Sequence, residues 1–97
     1  MPGYVIADVD VQDQETYEEY KQLVPASLEP YDGRFLVRGG EVERLEGEWE
    51  PHRVVVLEFP SLEHARGWYE SEQYAAAKAL RQRASVGSLL LVHGVDA

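Results

Sequence analysis

Two strand patterns with no helix between them sit in the middle of this chain, and every other element must be arranged around that pair. Arg34 to Phe59 reads RFLVRGGEVERLEGEWEPHRVVVLEF. In its first part Phe35 and Val37 alternate with Arg34, Leu36 and Arg38, the period-two signature of a strand with two distinct faces. Gly39-Gly40 interrupts the alternation, and a bulge or bend is the simplest use of two glycines there. Glu41 to Glu46 is a polar extension, Gly47 marks a turn back toward Trp49, and Arg53 to Phe59 is the most apolar strand pattern of the chain. The two form a strand-hairpin-strand unit, with the second strand expected near the sheet centre.

Upstream, Tyr4 to Val11 alternates again, with Val5, Ala7, Val9 and Val11 on one side. Asp13 is placed to cap a helix in which Tyr17, Tyr20, Val24, Leu28 and Tyr31 recur at steps of three and four. Pro25 lies inside that stripe and predicts a kink or break, because proline lacks a backbone donor and disfavours the helical conformation at Val24. Gly33 is expected to end the element as a left-handed cap. Downstream, Pro60-Ser61 stops the central strand. Ser61 caps a helix with Glu63 in its first turn and Leu62, Ala65, Trp68 and Tyr69 as its apolar face. A further helical run from about Ser71 to Arg83 places Tyr74, Ala77, Leu80 and Ala84 on one stripe and Lys78, Arg81 and Arg83 toward its C-terminal end. Gly87 is expected to end it, which leaves Ser88 to Val95 as the last strand.

The order is β-α-β-β-α-β with both helical segments as crossovers, and right-handed crossovers then give an α+β architecture. It is the ferredoxin-like βαββαβ split sandwich: a four-stranded antiparallel sheet, ordered last-first-third-second, with two helices on one face. Residues 1–97 make a single domain, since 97 residues are too few for two independent cores.

Two helices cover only one sheet face. Val5, Ala7, Val9, Phe35, Val37, Val55, Leu57, Phe59, Leu90 and Val92 are expected beneath them. The opposite face then holds Tyr4, Ile6, Asp8, Arg34, Leu36, Arg38, Val54, Val56, Glu58, Leu89, Leu91 and His93. A half-apolar face of this kind is a liability in water for so small a domain, so it is expected to pack on a second copy, giving a homodimer. Its charged members, Asp8, Arg34, Arg38, Glu58 and His93, either pair across the sheet or line a cavity.

Composition narrows the partners. With 9 basic and 18 acidic residues the formal charge is −9, which repels phosphate backbones and anionic membranes, so neither nucleic acid nor membrane is expected. The chain has no cysteine for a thiolate ligand or nucleophile, and His52, His64 and His93 show no metal-binding spacing. Gly39-Gly40 leads into more extended chain rather than into a helix, so it is no phosphate loop. No cofactor is therefore expected. The N-terminus lacks a basic start and an apolar leader, and the longest apolar runs are VVVL and LLLV, which points to a cytoplasmic protein.

A candidate ligand pocket comprises Trp49, Arg53, Trp68, Tyr69 and Tyr74, since aromatic walls with fixed cations suit a planar or acidic small molecule. The competing reading makes Trp68 and Tyr69 core residues and Trp49 a lid over the hairpin. Trp49-x-Pro51-x-Arg53 favours the pocket, because solvent exposure alone needs neither a rigid residue nor an aromatic in so short a turn. Arg34 and Arg38 either clamp one carboxylate or pair with Asp8 and Glu58. Glu58 and His93 complete the candidate set, and with Tyr20 they are the residues suited to acid-base work.

Gly33-Arg34-Phe35, Val37-Arg38-Gly39-Gly40, Trp49-x-Pro51-x-Arg53, Glu58-Phe59-Pro60-Ser61 and Trp68-Tyr69-x-Ser71-x-x-Tyr74 together resemble the family catalogued as domain of unknown function 1330. The alternating first strand, Tyr17-x-x-Tyr20, Val24-Pro25-Ala26 and the closing LVHGV extend the likeness over nearly the whole chain. Departures are small: Tyr31-Asp32-Gly33 stands where a second glycine is common, and Ser71-Glu72-Gln73-Tyr74 where a proline often follows the serine. The resemblance implies a dimeric α/β-barrel, in which two ferredoxin-like sheets meet face to face. It implies no activity, because that superfamily includes cofactor-free monooxygenases, lactone isomerases, haem-dependent peroxidases and ligand-sensing domains. Two readings follow. One is a homodimer that binds a small aromatic or carboxylate-bearing metabolite and acts on it without metal or nucleotide. The other is a non-catalytic binding or assembly module whose charged face sets dimer register.

Overall fold

Burial alternates residue by residue along the first strand, with Val5, Ala7 and Val9 buried and Tyr4, Ile6 and Asp8 half-buried between them. The computed structural model describes residues 1–96. Its elements are β1 (Gly3–Val11), α1 (Gln14–Leu28), a 3-10 turn (Glu29–Tyr31), β2 (Arg34–Arg38), β3 (Val54–Phe59), α2 (Leu62–Glu70), α3 (Glu72–Ala84) and β4 (Ser85–His93). The sheet runs β2-β3-β1-β4 with every neighbouring pair antiparallel, and this is the expected ferredoxin-like order. The helices lie on one face, α1 and α3 packing side by side.

Each helix begins where a short polar side chain satisfies an amide of the first turn. Asp13 accepts from the Thr16 amide at 3.2 Å, Ser61 from the His64 amide and Ser71 from the Tyr74 amide, both at 3.1 Å. Ser71 also donates to the Trp68 carbonyl at 2.7 Å. Its extended backbone divides the second crossover, so three α-helices rather than two cover the sheet. Pro25 does not break α1, which runs continuously to Leu28. The proline leaves the carbonyl of Lys21 without an amide donor, and Arg38 Nη2 donates to that carbonyl at 2.8 Å instead.

Several local expectations are corrected. The left-handed residue after α1 is Asp32, with φ 54°, and not Gly33. Gly33 is needed for space, since a Cβ there would stand 2.5 Å from the Phe59 ring. Gly87 does not end α3 but lies inside β4, where its lack of a side chain lets it pair closely with Val9 of β1. Glu41 to Glu46 forms no strand. The irregularity in β2 falls before the two glycines: Phe35 opposes Leu57, Val37 opposes Val56 and Arg38 opposes Val55, leaving Leu36 as an extra residue.

That bulge exchanges the faces of the residues beyond it. Val37 joins Val56 on the open face, and Arg38 joins Val55 beneath the helices. β4 is also one residue out of the expected phase, because Ala7 opposes Leu89 and Ile6 opposes Leu90. Leu89 packs on the core, Leu91 and His93 share its phase, and Leu90 and Val92 belong to the open face. The run LLLV has no alternation to indicate which residues turn inward, so register with β1 decides.

Phe59, Trp68 and Tyr74 are fully buried between the layers. The Trp68 ring centroid lies 4.0 Å from that of Tyr74 and 5.6 Å from that of Phe59. Its indole donates to Ser27 Oγ at 3.0 Å, and Ser27 in turn donates to the Val24 carbonyl at 2.6 Å. Ser27→Ala therefore removes the acceptor from a buried indole. The expected cost is about 1–3 kcal/mol of stability, read as a lower midpoint in urea unfolding with an unchanged slope. An unchanged midpoint contradicts this account of the tryptophan.

Candidate functional site

Arg38 and Arg53 come together at one edge of the helix-sheet interface. Arg38 ends β2 and is turned under α1 by the bulge. Its guanidinium stands 4.2 Å from the Phe35 ring centroid while Nη2 holds the Lys21 carbonyl. Arg53 precedes β3, its carbonyl accepting from the Val9 amide at 2.9 Å. Its Nε donates to the Tyr17 hydroxyl at 3.2 Å, with the guanidinium 5.5 Å from that ring. Gly39, at φ 74°, clears the space Arg53 occupies, since any side chain there would strike the guanidinium. Lys21 joins the group and pairs with Glu18 at 3.1 Å. Among the described residues neither Arg38 nor Arg53 makes an ion pair with a carboxylate.

These cations rim a cleft that runs inward between α1 and the sheet, past Tyr17, Tyr20, Val24 and Phe35 to Trp68 and Arg81. The interior is mostly apolar and narrow, about 30 Å³, which is room for one or two waters. Its mouth is wider. Two surface grooves of about 370 and 530 Å³ meet there, and Lys21 and Arg53 line both.

The inner end carries a third arginine. Arg81 is 7% exposed, and its Nε donates to the Tyr74 hydroxyl at 3.3 Å. The Tyr74 and Tyr20 hydroxyls are 3.0 Å apart. Burial alone would lower the Arg81 pKa, but Tyr74, its hydrogen bond and Tyr20 outweigh burial and raise it, so the guanidinium stays charged. Burial, and then the neighbouring Tyr74, push the Tyr20 hydroxyl far above the ordinary tyrosine range. Tyr20 is therefore a hydrogen-bond donor and not a base.

Of the sequence candidates, Arg38, Arg53 and Trp68 line the cleft and Tyr74 backs it. Tyr69 lies behind Tyr74, ring centroids 6.1 Å apart, with Lys78 over its own ring at 4.3 Å. The others are elsewhere. Arg34 and Glu58 pair on the open face, Nε to Oε1 at 2.7 Å, and the Tyr4 hydroxyl reaches Glu58 Oε2 at 3.4 Å. Trp49 donates its indole N–H to Asp8 Oδ2 at 2.9 Å, beside the His52 amide on Oδ1 at 2.8 Å. Burial would raise the Asp8 pKa, yet the His52 amide and the Trp49 indole outweigh it and hold the carboxyl below its usual range. His93 is exposed at the end of β4.

Arg81 was missed because it reads as a helix-terminal cation. The signal was present: Tyr74, Ala77, Arg81 and Ala84 follow steps of three, four and three, and all four are buried. Leu80, expected on the stripe, is only half-buried. Among the described residues no cluster of three or more His, Asp or Glu could hold a metal ion.

Residues 2–95 match the family model described as Domain of unknown function (DUF1330). The chain belongs to the DUF1330 family. No curated protein matches it. Among solved structures, the RPA0582 protein of unknown function from Rhodopseudomonas palustris is similar at 20% identity and TM-score 0.76, over 99% of this chain and 84% of that one. A dimeric ferredoxin-like protein of unknown function from Jannaschia sp. CCS1 matches at 11% identity and TM-score 0.69, over 99% and 100%. SnoaB, a cofactor-independent oxygenase from Streptomyces nogalater, matches at 11% identity and TM-score 0.64, over 99% and 95%. At these identities the likeness of this DUF1330 member to them is one of fold.

The raised Tyr20 pKa has a signed consequence for stability. The unfolded chain releases the tyrosine proton near the ordinary value of 10.0, whereas the folded protein retains it. Stability therefore falls as pH rises through and above that value, and it is unaffected below. Urea midpoints of Tyr20→Phe should decline less steeply with alkaline pH than those of the wild type. Parallel declines would show that Tyr20 is not held protonated.

Proposed function

We propose that this DUF1330 member is a homodimer that binds a small organic anion, an aromatic or other apolar carboxylate, in the cleft between α1 and the sheet. The observation that carries the reading is the pair of guanidiniums, Arg38 and Arg53, set at the mouth of an apolar cleft without carboxylate partners. Asp10 and Glu18 also line the grooves at this mouth, but Asp10 lies against His52 and Glu18 pairs with Lys21, which leaves both guanidiniums open to an incoming anion. The ligand's carboxylate belongs at the mouth and its apolar body in the cleft. At 30 Å³ the interior admits a ring only as α1 yields, and Pro25 has already removed one of that helix's hydrogen bonds at the place concerned.

Binding without turnover is the form of this reading that the interior favours. Among the described residues no buried side-chain nitrogen or oxygen lacks a hydrogen-bond partner, and Tyr20 is a donor. The shared fold with SnoaB supports the catalytic form, in which the bound anion is also transformed.

The homodimer rests on the open sheet face. Ile6, Val54 and Val56 are half-buried there, and Val37, Leu90 and Val92 are exposed beside them. Opposing two such faces removes this apolar surface from water, and solved structures of the same fold are described as dimeric. Light scattering at micromolar concentration should give twice the 11.0 kDa chain mass, with Val56→Asp returning it to one. A wild-type monomer ends the proposal.

For the ligand, a thermal-shift titration with benzoate and related aromatic acids should raise the wild-type melting temperature by mass action. Arg53→Ala should weaken binding roughly tenfold, in line with losing one charge-assisted hydrogen bond. Identical titrations of the two proteins exclude Arg53 from the site.

A further inference from the structure

The direction of the hydrogen bonds at the inner end of the cleft follows from their surroundings. A guanidinium has only donors, so the Tyr74 oxygen accepts from Arg81. The Tyr74 proton then needs an acceptor, and among the described residues the Tyr20 oxygen, 3.0 Å away, is the one it reaches. In the opposite orientation Tyr20 would donate to Tyr74, and the Tyr74 proton would be stranded inside a fully buried side chain. Tyr20 has no such difficulty. It lines the cleft, which Tyr74 does not, so its proton can point into that space.

We infer that Arg81, Tyr74 and Tyr20 form a one-way donor chain whose last proton, on Tyr20, binds a negatively charged oxygen of the ligand inside the cleft. The Arg81 bond commits the Tyr74 proton to Tyr20, and this in turn leaves the Tyr20 proton as the one donor of the chain free for a ligand. A carboxylate already has its place at Arg38 and Arg53. The oxygen suited to the interior is one that ionises more readily when hydrogen-bonded, a phenol or an enol. The ligand class is thus narrowed to anions that carry such an acidic hydroxyl on the apolar body. This rests on the cleft being a ligand site, as proposed above. Tyr20 touches the ligand, while Tyr74 and Arg81 are positioning residues that act through it.

The experiment uses para-nitrophenol, whose absorbance distinguishes phenol from phenolate, with nitrobenzene as the matched molecule lacking the oxygen. Bound to the wild type, para-nitrophenol should ionise about one pH unit lower than in solution, a tenfold change in the phenolate-to-phenol ratio. Tyr20→Phe, which removes one oxygen and keeps the ring, should return the bound titration to the solution value while nitrobenzene binding is retained. Tyr74→Phe should reduce the shift although it never touches the probe, an effect that loss of packing alone would not produce. Because Tyr74→Phe also strips Arg81 of its acceptor and lowers stability, Tyr20→Phe carries the decision. A bound titration that is unshifted in the wild type, or equally shifted in Tyr20→Phe, overturns the donor chain and leaves the cleft reading intact. Failure of the wild type to bind para-nitrophenol, nitrobenzene or benzoate overturns both.

Discussion

The register of β2 against β3 decides what the cleft contains. One extra residue, Leu36, sits between the pairs Phe35 with Leu57 and Val37 with Val56. Without it Val37 would lie beneath α1 and Arg38 would stand on the open face next to Arg34. With it Arg38 reaches the Lys21 carbonyl that Pro25 has left without a donor, and the cation and the helix irregularity satisfy each other. A bulge is well tolerated here because β2 is an edge strand, with no outer neighbour whose pairing it could disrupt.

The arginines of the cleft are held differently from Arg34 and Arg44, which pair with Glu58 and Glu50. They meet rings and hydroxyls: Arg38 over Phe35, Arg53 against Tyr17, Arg81 on Tyr74, while Lys21 beside them pairs with Glu18. Aromatic faces and phenolic oxygens steady a guanidinium without neutralising it. Arginine suits such a place better than lysine, because its flat and weakly hydrated head loses less on leaving water.

Much of the fold was legible because it depends on periodicity and punctuation. The alternation in β1, the serine and aspartate caps and the helical stripe through Tyr17, Val24 and Leu28 are local signals, and each appears where expected. What escaped depends on partners. The phase of β4 is set by pairing with β1, and the run LLLV offers no alternation from which to infer it. Gly87 and Gly33 resemble punctuation, whereas their function is close approach to another strand and to Phe59. The candidate site was legible only in pieces. Arg38, Arg53, Trp68 and Tyr74 could be named, yet Arg34, Trp49, Glu58 and His93 belong to other surroundings. Arg81 was hidden by its charge, although its helical spacing matched the buried stripe.

The open sheet face and the cleft lie on opposite sides of the sheet, but one short segment belongs to both. Asp8 holds the Trp49 indole and the His52 amide on the open face. At the next residue the chain passes to the other side: the Arg53 carbonyl takes the Val9 amide, and its side chain turns to Tyr17 at the mouth of the cleft. Trp49 is 64% exposed, so in an isolated chain the restraint on this segment comes largely from its hydrogen bond to one carboxylate. A second copy seated on the open face would remove water from around Asp8 and strengthen both of its hydrogen bonds, because competition from solvent is what keeps such bonds weak. Through His52 that added rigidity reaches the backbone of Arg53, so pairing of the sheets would also fix the cation at the entrance to the cleft.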